Sequence, residues 1–132
     1  MKLIINTDGG SRGNPGPAAI GVVIKKENGE VVFEKGKKIG ETTNNQAEYQ
    51  ALVFALEKAF ELGAAEVACF LDSELVVKQC KGEYKVKDAG LSAQYLKVHN
   101  LLIKFKKVTF THVRREKNAE ADALLNAALD GE

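Results

Sequence analysis

Cysteine, histidine and proline each occur only twice in the chain, and tryptophan is absent. No apolar run reaches the roughly 18 residues that a membrane-spanning helix needs. The N-terminus lacks the apolar core and small-residue cleavage site of a secretory signal, so a cytoplasmic protein without a membrane segment is expected. Cys69 and Cys80 lie in apolar runs without metal-ligand spacing around them, and they read as reduced thiols in or near the core. What is present, 132 residues with 45% hydrophobic and 28% charged, fits one domain spanning 1–132 around a single core.

A net charge of +1 argues for no partner, but the distribution is uneven. Residues 1–77 hold 8 Lys/Arg against 11 Asp/Glu, residues 78–117 hold 11 against 3, and residues 118–132 hold none against 4. The basic middle block is either a solvated lysine face or a footprint for a phosphate backbone.

Strands are expected at 2–7, 18–26 and 31–39, the last two joined through Asn28-Gly29, a strong hairpin signal. Helical spacing predicts a helix from Asn45 to about Leu62, stopped by Gly63. A strand ending near Asp72, helices over about 73–80 and 91–104, a strand over 107–113 and a helix over 118–129 complete the order. The pattern implies an α/β fold, a five-stranded mixed sheet with an antiparallel hairpin and parallel strands, flanked by helices.

Four acidic residues stand where structural economy would not put them. Asp8 and Asp72 each follow an apolar run, which in α/β sheets leads to the ligand crevice beyond the strand ends. Glu48 falls on the core side of its helix, and Asp122 lies in a helix otherwise rich in alanine and leucine. Each admits a plain structural use: Asp8 as a turn residue, Asp72 as cap of the next helix, Glu48 in a capping box with Asn45, Asp122 as the edge of an amphipathic helix. Brought together, four carboxylates would repel unless divalent cations offset them. An all-oxygen donor set favours magnesium, with manganese as a substitute, over zinc. Such sites suit phosphoryl chemistry.

Between Asp8 and the second strand, residues 9–17 hold four glycines and two prolines, in neither a GxxxxGK[ST] nor a GxGxxG arrangement. Gly9, Gly10, Gly13 and Gly16 would let a polymer backbone approach closely, and Asn14, Thr43, Asn44 and Asn45 add neutral donors for phosphates and sugar hydroxyls.

The segments TDGGSRGNPGPAAIGVVI, TTNNQAEYQAL, FLDSELVVKQ and HVRREKNAEADALLN resemble, in order and spacing, the four motif blocks of type 1 ribonuclease H, which cuts the RNA strand of RNA–DNA hybrids. The resemblance covers nearly the whole chain. It implies an RNase H-like fold and an endonuclease working by two-metal phosphodiester hydrolysis, with Asp8, Glu48, Asp72 and Asp122 as metal-binding carboxylates. It implies minor-groove contacts from Asn14, Asn44 and Asn45, main-chain contacts to RNA at Gly9 and Gly10, and a DNA-phosphate contact at Thr43.

His112 stands ten residues before Asp122, as the family's mobile histidine does before its last carboxylate. HVRREKN replaces the glycine-containing loop of many bacterial members, so a structural strand-end histidine is the competing reading. The basic helix and loop that many members carry after the DS motif is absent, leaving KGEYKVKDAG, and Glu74 stands where several members have glutamine. Phosphate contacts are then expected from Lys85, Lys87, Arg114, Arg115 and Lys117. The pattern is that of a minimal, monomeric member; the alternatives are a catalytically weak or inactive nucleic-acid-binding relative and an unrelated interaction domain.

Overall fold

The computed structural model describes residues 1–131. Strands β1 (Lys2–Ser11), β2 (Gly16–Lys26), β3 (Val31–Thr42), β4 (Glu66–Leu71) and β5 (Lys107–His112) form one mixed sheet of order β3-β2-β1-β4-β5. β1 to β3 run antiparallel in sequence, and β1, β4 and β5 are parallel neighbours. Helices α1 (Asn44–Glu61), α2 (Glu74–Cys80), α3 (Ala89–Leu102) and α4 (Ala119–Asp130) flank it, α4 being preceded by a 3-10 turn at Arg115–Asn118. No helix among the described residues is long and apolar enough to cross a membrane.

The predicted order of strands and helices holds, with instructive differences at the boundaries. β1 does not stop at Thr7. Asp8, Gly9, Gly10 and Ser11 continue it, pairing with Gly21, Ile20, Ala19 and Ala18 of β2, so Asp8 is a strand residue and not the start of a turn. The turn is confined to the residues after Ser11, where the Asn14–Pro15 peptide is cis. β4 pairs with β1 only as far as Thr7↔Leu71, so β1 overhangs its parallel neighbour by four residues.

α1 begins one residue earlier than its periodicity suggests, because Thr43 is the N-cap and its Oγ1 accepts from the Gln46 N–H at 3.2 Å. Asn45 is therefore not the cap, and Glu48 belongs to no capping box. Leu52, Ala55, Leu56 and Ala59 face the sheet and bury against Leu3, Ile5, Val22 and Val67, forming the dry core with Tyr49. Burial of each large aliphatic side chain there is worth roughly 1.5–3 kcal/mol. The helix ends at Gly63, whose φ of 88° suits glycine.

α4 packs on the opposite face, against β1, β2 and β3. Asp8, Gly21 and Gly36 are cross-strand partners and form one row. A Cβ on Gly21 would overlap the Ala121 carbonyl, and one on Gly36 the Leu124 carbonyl. The row therefore lets the α4 backbone lie directly on the sheet beside Asp8. Asn118 is only 1% exposed. Its Nδ2 donates to the Thr7 carbonyl at 2.7 Å and its Oδ1 accepts from Asn6 Nδ2 at 3.1 Å.

Candidate active site

Each of the four carboxylates arrives from a different element. Asp8 stands on the overhanging part of β1, Asp72 just past the end of β4, Glu48 in the second turn of α1 and Asp122 in the first turn of α4. The Gly9 N–H, beyond the last β1–β4 pair, is taken by Glu48 Oε1 at 2.9 Å. A Cβ on Gly9 would overlap the Ala47 carbonyl, so glycine there is what lets α1 come close enough for that bond. Asp72 does not cap α2. Ser73 does, its Oγ accepting from the Val76 N–H at 3.2 Å.

Carboxylate oxygens of Asp8, Glu48 and Asp72 lie within 4.8 Å of one another, and Asp72 Oδ1 is buried without a hydrogen-bond partner. Burial, then the Asp72 charge and Asp122, pushes the Asp8 pKa up to about 8. Burial chiefly, then Asp8 and Asp72, raises Glu48, against the pull of the Gly9 N–H and Arg115. Asp72 is likewise raised by burial. Carboxylates held this close and partly buried bind protons more readily unless a cation offsets them. The hard oxygen donors and the orphaned Asp72 oxygen fit a divalent cation of the magnesium type.

The carboxylates line an open cleft of about 490 Å3 together with Gly9, Gly10, Asn44, His112, Arg114 and Arg115. His112 is the last residue of β5 and exposed, and Arg115 Nη2 stands 3.7 Å from Asp122 Oδ1. The Asn44 side-chain oxygen accepts from the Ser11 N–H at 2.8 Å and from Ser11 Oγ at 3.1 Å, which fixes the side chain at the edge of the cleft. Asn14 Oδ1 accepts from the Asn44 N–H at 2.9 Å and so braces the same corner.

Thr43, Asn45, Lys85, Lys87 and Lys117 lie outside the cleft lining: Thr43 and Asn45 at the start of α1, Lys85 and Lys87 exposed between α2 and α3, Lys117 exposed in the 3-10 turn. Cys69 and Cys80 are free thiols, and burial raises both. His99 is exposed and stacks on Tyr95.

Four contributors escaped the sequence reading. Ser11 and Arg12 line the cleft, Asn118 ties α4 to β1, and the Gly21–Gly36 row seats α4. Glycines inside otherwise apolar strands were the available signal for that row.

This mixed sheet, with an acidic cleft where β1 outruns its parallel neighbour, is an RNase H-like fold. The family described as Reverse transcriptase-like matches residues 6–128. Ribonuclease HI of Halobacterium salinarum is 47% identical over 123 residues, 93% of this chain and 62% of that protein. The crystal structure of RNase H1 from the same archaeon superposes with a TM-score of 0.97 at 44% identity, covering all of both chains. LC11-RNase H1 in complex with RNA/DNA hybrid gives 0.93 at 48% identity, covering 97% of this chain and 96% of that one. The chain belongs to the type 1 ribonuclease H family. It spans 36% and 62% of the full length of curated relatives it matches.

Proposed function

We propose that the chain is an endonuclease that hydrolyses the RNA strand of RNA–DNA hybrids, acting as a cytoplasmic monomer with magnesium, or manganese in its place, held by Asp8, Glu48, Asp72 and Asp122. The observation that carries this reading is the convergence of three carboxylates, one with an orphaned oxygen, on the floor of an open polar cleft. A pair of bound ions supplies activated water and charge neutralisation for in-line displacement at phosphorus.

The chain's own residues would set that chemistry up. Glu48 is aimed by the Gly9 N–H, and Asp122 is carried to Asp8 by the close seating of α4. His112, which also lines the cleft, is assigned proton transfer to the leaving oxygen, and Arg114 and Arg115 attraction of the phosphate backbone. Gly9, Gly10, Asn14, Thr43, Asn44 and Asn45 supply close main-chain approach and neutral donors along the sugar edges. Lys85 and Lys87 extend the grip beyond the cleft. LC11-RNase H1, so similar in structure, was solved with RNA/DNA hybrid bound, which supports the choice of substrate.

Cleavage of a labelled hybrid should require magnesium or manganese. Asp8→Asn or Asp72→Asn should lower turnover by on the order of 1000-fold with the fold intact, since an amide cannot offset the cation charge. Full activity in EDTA, or in either variant, would sink the reading.

A further inference from the structure

Gln79 is the one buried side-chain amide of α2, 4% exposed. A buried amide is costly unless both ends are satisfied, and here they are, in two different directions. Its Oε1 accepts from the hydroxyl of Tyr49 at 2.6 Å, on the helix that carries Glu48, with Tyr49 itself fully buried. Its Nε2 donates to the Lys85 carbonyl at 3.3 Å. The segment around Lys85 has no helix or strand of its own. Other anchors hold its ends: the Glu83 and Tyr84 N–H groups donate to the Lys78 carbonyl, and Ser92 Oγ donates to the Val86 carbonyl at 3.4 Å. Val86 packs against the core while Lys85 and Lys87 on either side of it are exposed, so the pinned backbone leaves both cations at the surface.

The segment leads directly into α3, whose first turn meets α1. A Cβ on Gly90 would stand 2.7 Å from Gln46 Nε2, in the first turn of α1 and two residues from the cleft-lining Asn44. The start of α3, three residues after Lys87, is thus packed on the start of α1.

We propose that Gln79 is a positioning residue for nucleic-acid grip: its amide sets the backbone that presents Lys85 and Lys87, and through Tyr49 it fixes that setting to the helix bearing Glu48. The inference rests on the reading of Lys85 and Lys87 as phosphate contacts. Methionine at this position would fill the same volume and make neither hydrogen bond. Glutamate would keep the Tyr49 bond and lose the donor to Lys85.

The test is a double-mutant cycle on RNA–DNA hybrid, read both by turnover and by equilibrium binding of a fluorescent hybrid. Lys85→Ala with Lys87→Ala should raise the Michaelis constant and flatten its salt dependence. Gln79→Met alone should raise it about fivefold, the equivalent of one hydrogen bond, with turnover at saturating hybrid unchanged. Added to the lysine pair, Gln79→Met should change nothing further. Ser92→Ala, which removes a second, more exposed pin, should act in the same direction if Gln79→Met fails to fold, and Gln79→Glu should match Gln79→Met.

An equal rise of the Michaelis constant with and without the lysines would overturn the proposal. So would a fall in saturated turnover, or no effect of Gln79→Met where the lysine pair has one. If the lysine pair itself leaves binding and salt dependence unchanged, the grip and its pinning fall together. A failure of the hydrolytic reading looks different: binding follows the cycle while no hybrid is cut.

Discussion

The two faces of the sheet are held by different means. On the α1 face, aliphatic side chains interdigitate in a dry core of Leu3, Ile5, Val22, Leu52 and Leu56. On the α4 face, contact is made by the removal of side chains, with Gly21 and Gly36 letting a helix backbone rest on the strands, and by two asparagines, Asn6 and Asn118, bonded to each other. The first arrangement supplies stability and tolerates small shifts. The second fixes where Asp122 stands relative to Asp8, so a carboxylate cluster made of both faces takes its geometry from the closer-fitting one.

Truncation on the apolar face should give the largest change in stability. Leu52→Ala is expected to cost about 2–5 kcal/mol in denaturant unfolding while the protein that remains folded keeps its turnover. Gly21→Ala should do the reverse. The added methyl meets the Ala121 carbonyl, α4 must lift, and turnover on hybrid should fall about 100-fold, near 2.7 kcal/mol, with the far-ultraviolet circular dichroism spectrum retained.

Asn118→Ala should sit between the two, leaving the Thr7 carbonyl and the Asn6 amide without their partner. A loss of about 1–2 kcal/mol in stability with a loss of turnover of about tenfold is expected. If Asn118→Ala lowers stability but spares turnover, the polar tie is not what locates Asp122.

The smallest effect is the most diagnostic. In EDTA, burial raises the pKa of Asp8, Glu48 and Asp72 above the ordinary carboxylate values of the unfolded chain, and repulsion from neighbouring carboxylates adds to this at Asp8 and Glu48. The folded state thus binds more protons than the unfolded state, and stability must fall as pH climbs from the unfolded carboxylate value near 4 toward about 8, the raised value of Asp8. Urea melts at pH 5 and pH 8 should show the higher midpoint at pH 5, and added magnesium should narrow the gap by stabilising the ionised cluster. An equal gap with and without magnesium would mean that the cation does not meet these carboxylates.

Much of this was legible in the chain itself. Helical spacing located α1, the Asn28-Gly29 pair located the hairpin, and the four misplaced acids pointed to a common end of the sheet. Asp8 nevertheless looked like a turn residue, because Gly9-Gly10 reads locally as a break; pairing with β2 overrides that preference and keeps the strand extended through Ser11. The capping residue of α1 is not legible locally, because Thr43, Asn44 and Asn45 are all capable caps; Thr43 takes the role, which removes the capping-box alternative for Glu48. Gly21 and Gly36 were passed over since a single glycine in a strand carries no periodicity. Their meaning is cross-strand, and nothing local to either segment records that the two stand in one row with Asp8.

The bonds from Asn118 to Asn6 and to Thr7 join residues 112 and 111 positions apart. On the ribosome, chain growth at roughly 5–20 residues per second separates the appearance of Asp8 from that of Asp122, 114 residues later, by roughly 6 to 23 seconds. Throughout that interval the nascent chain already carries Asp8, and later Glu48 and Asp72, yet the helix that completes the cleft does not exist. The first carboxylate of the cleft therefore waits, through the making of every other strand and helix of the fold, for its partner on α4.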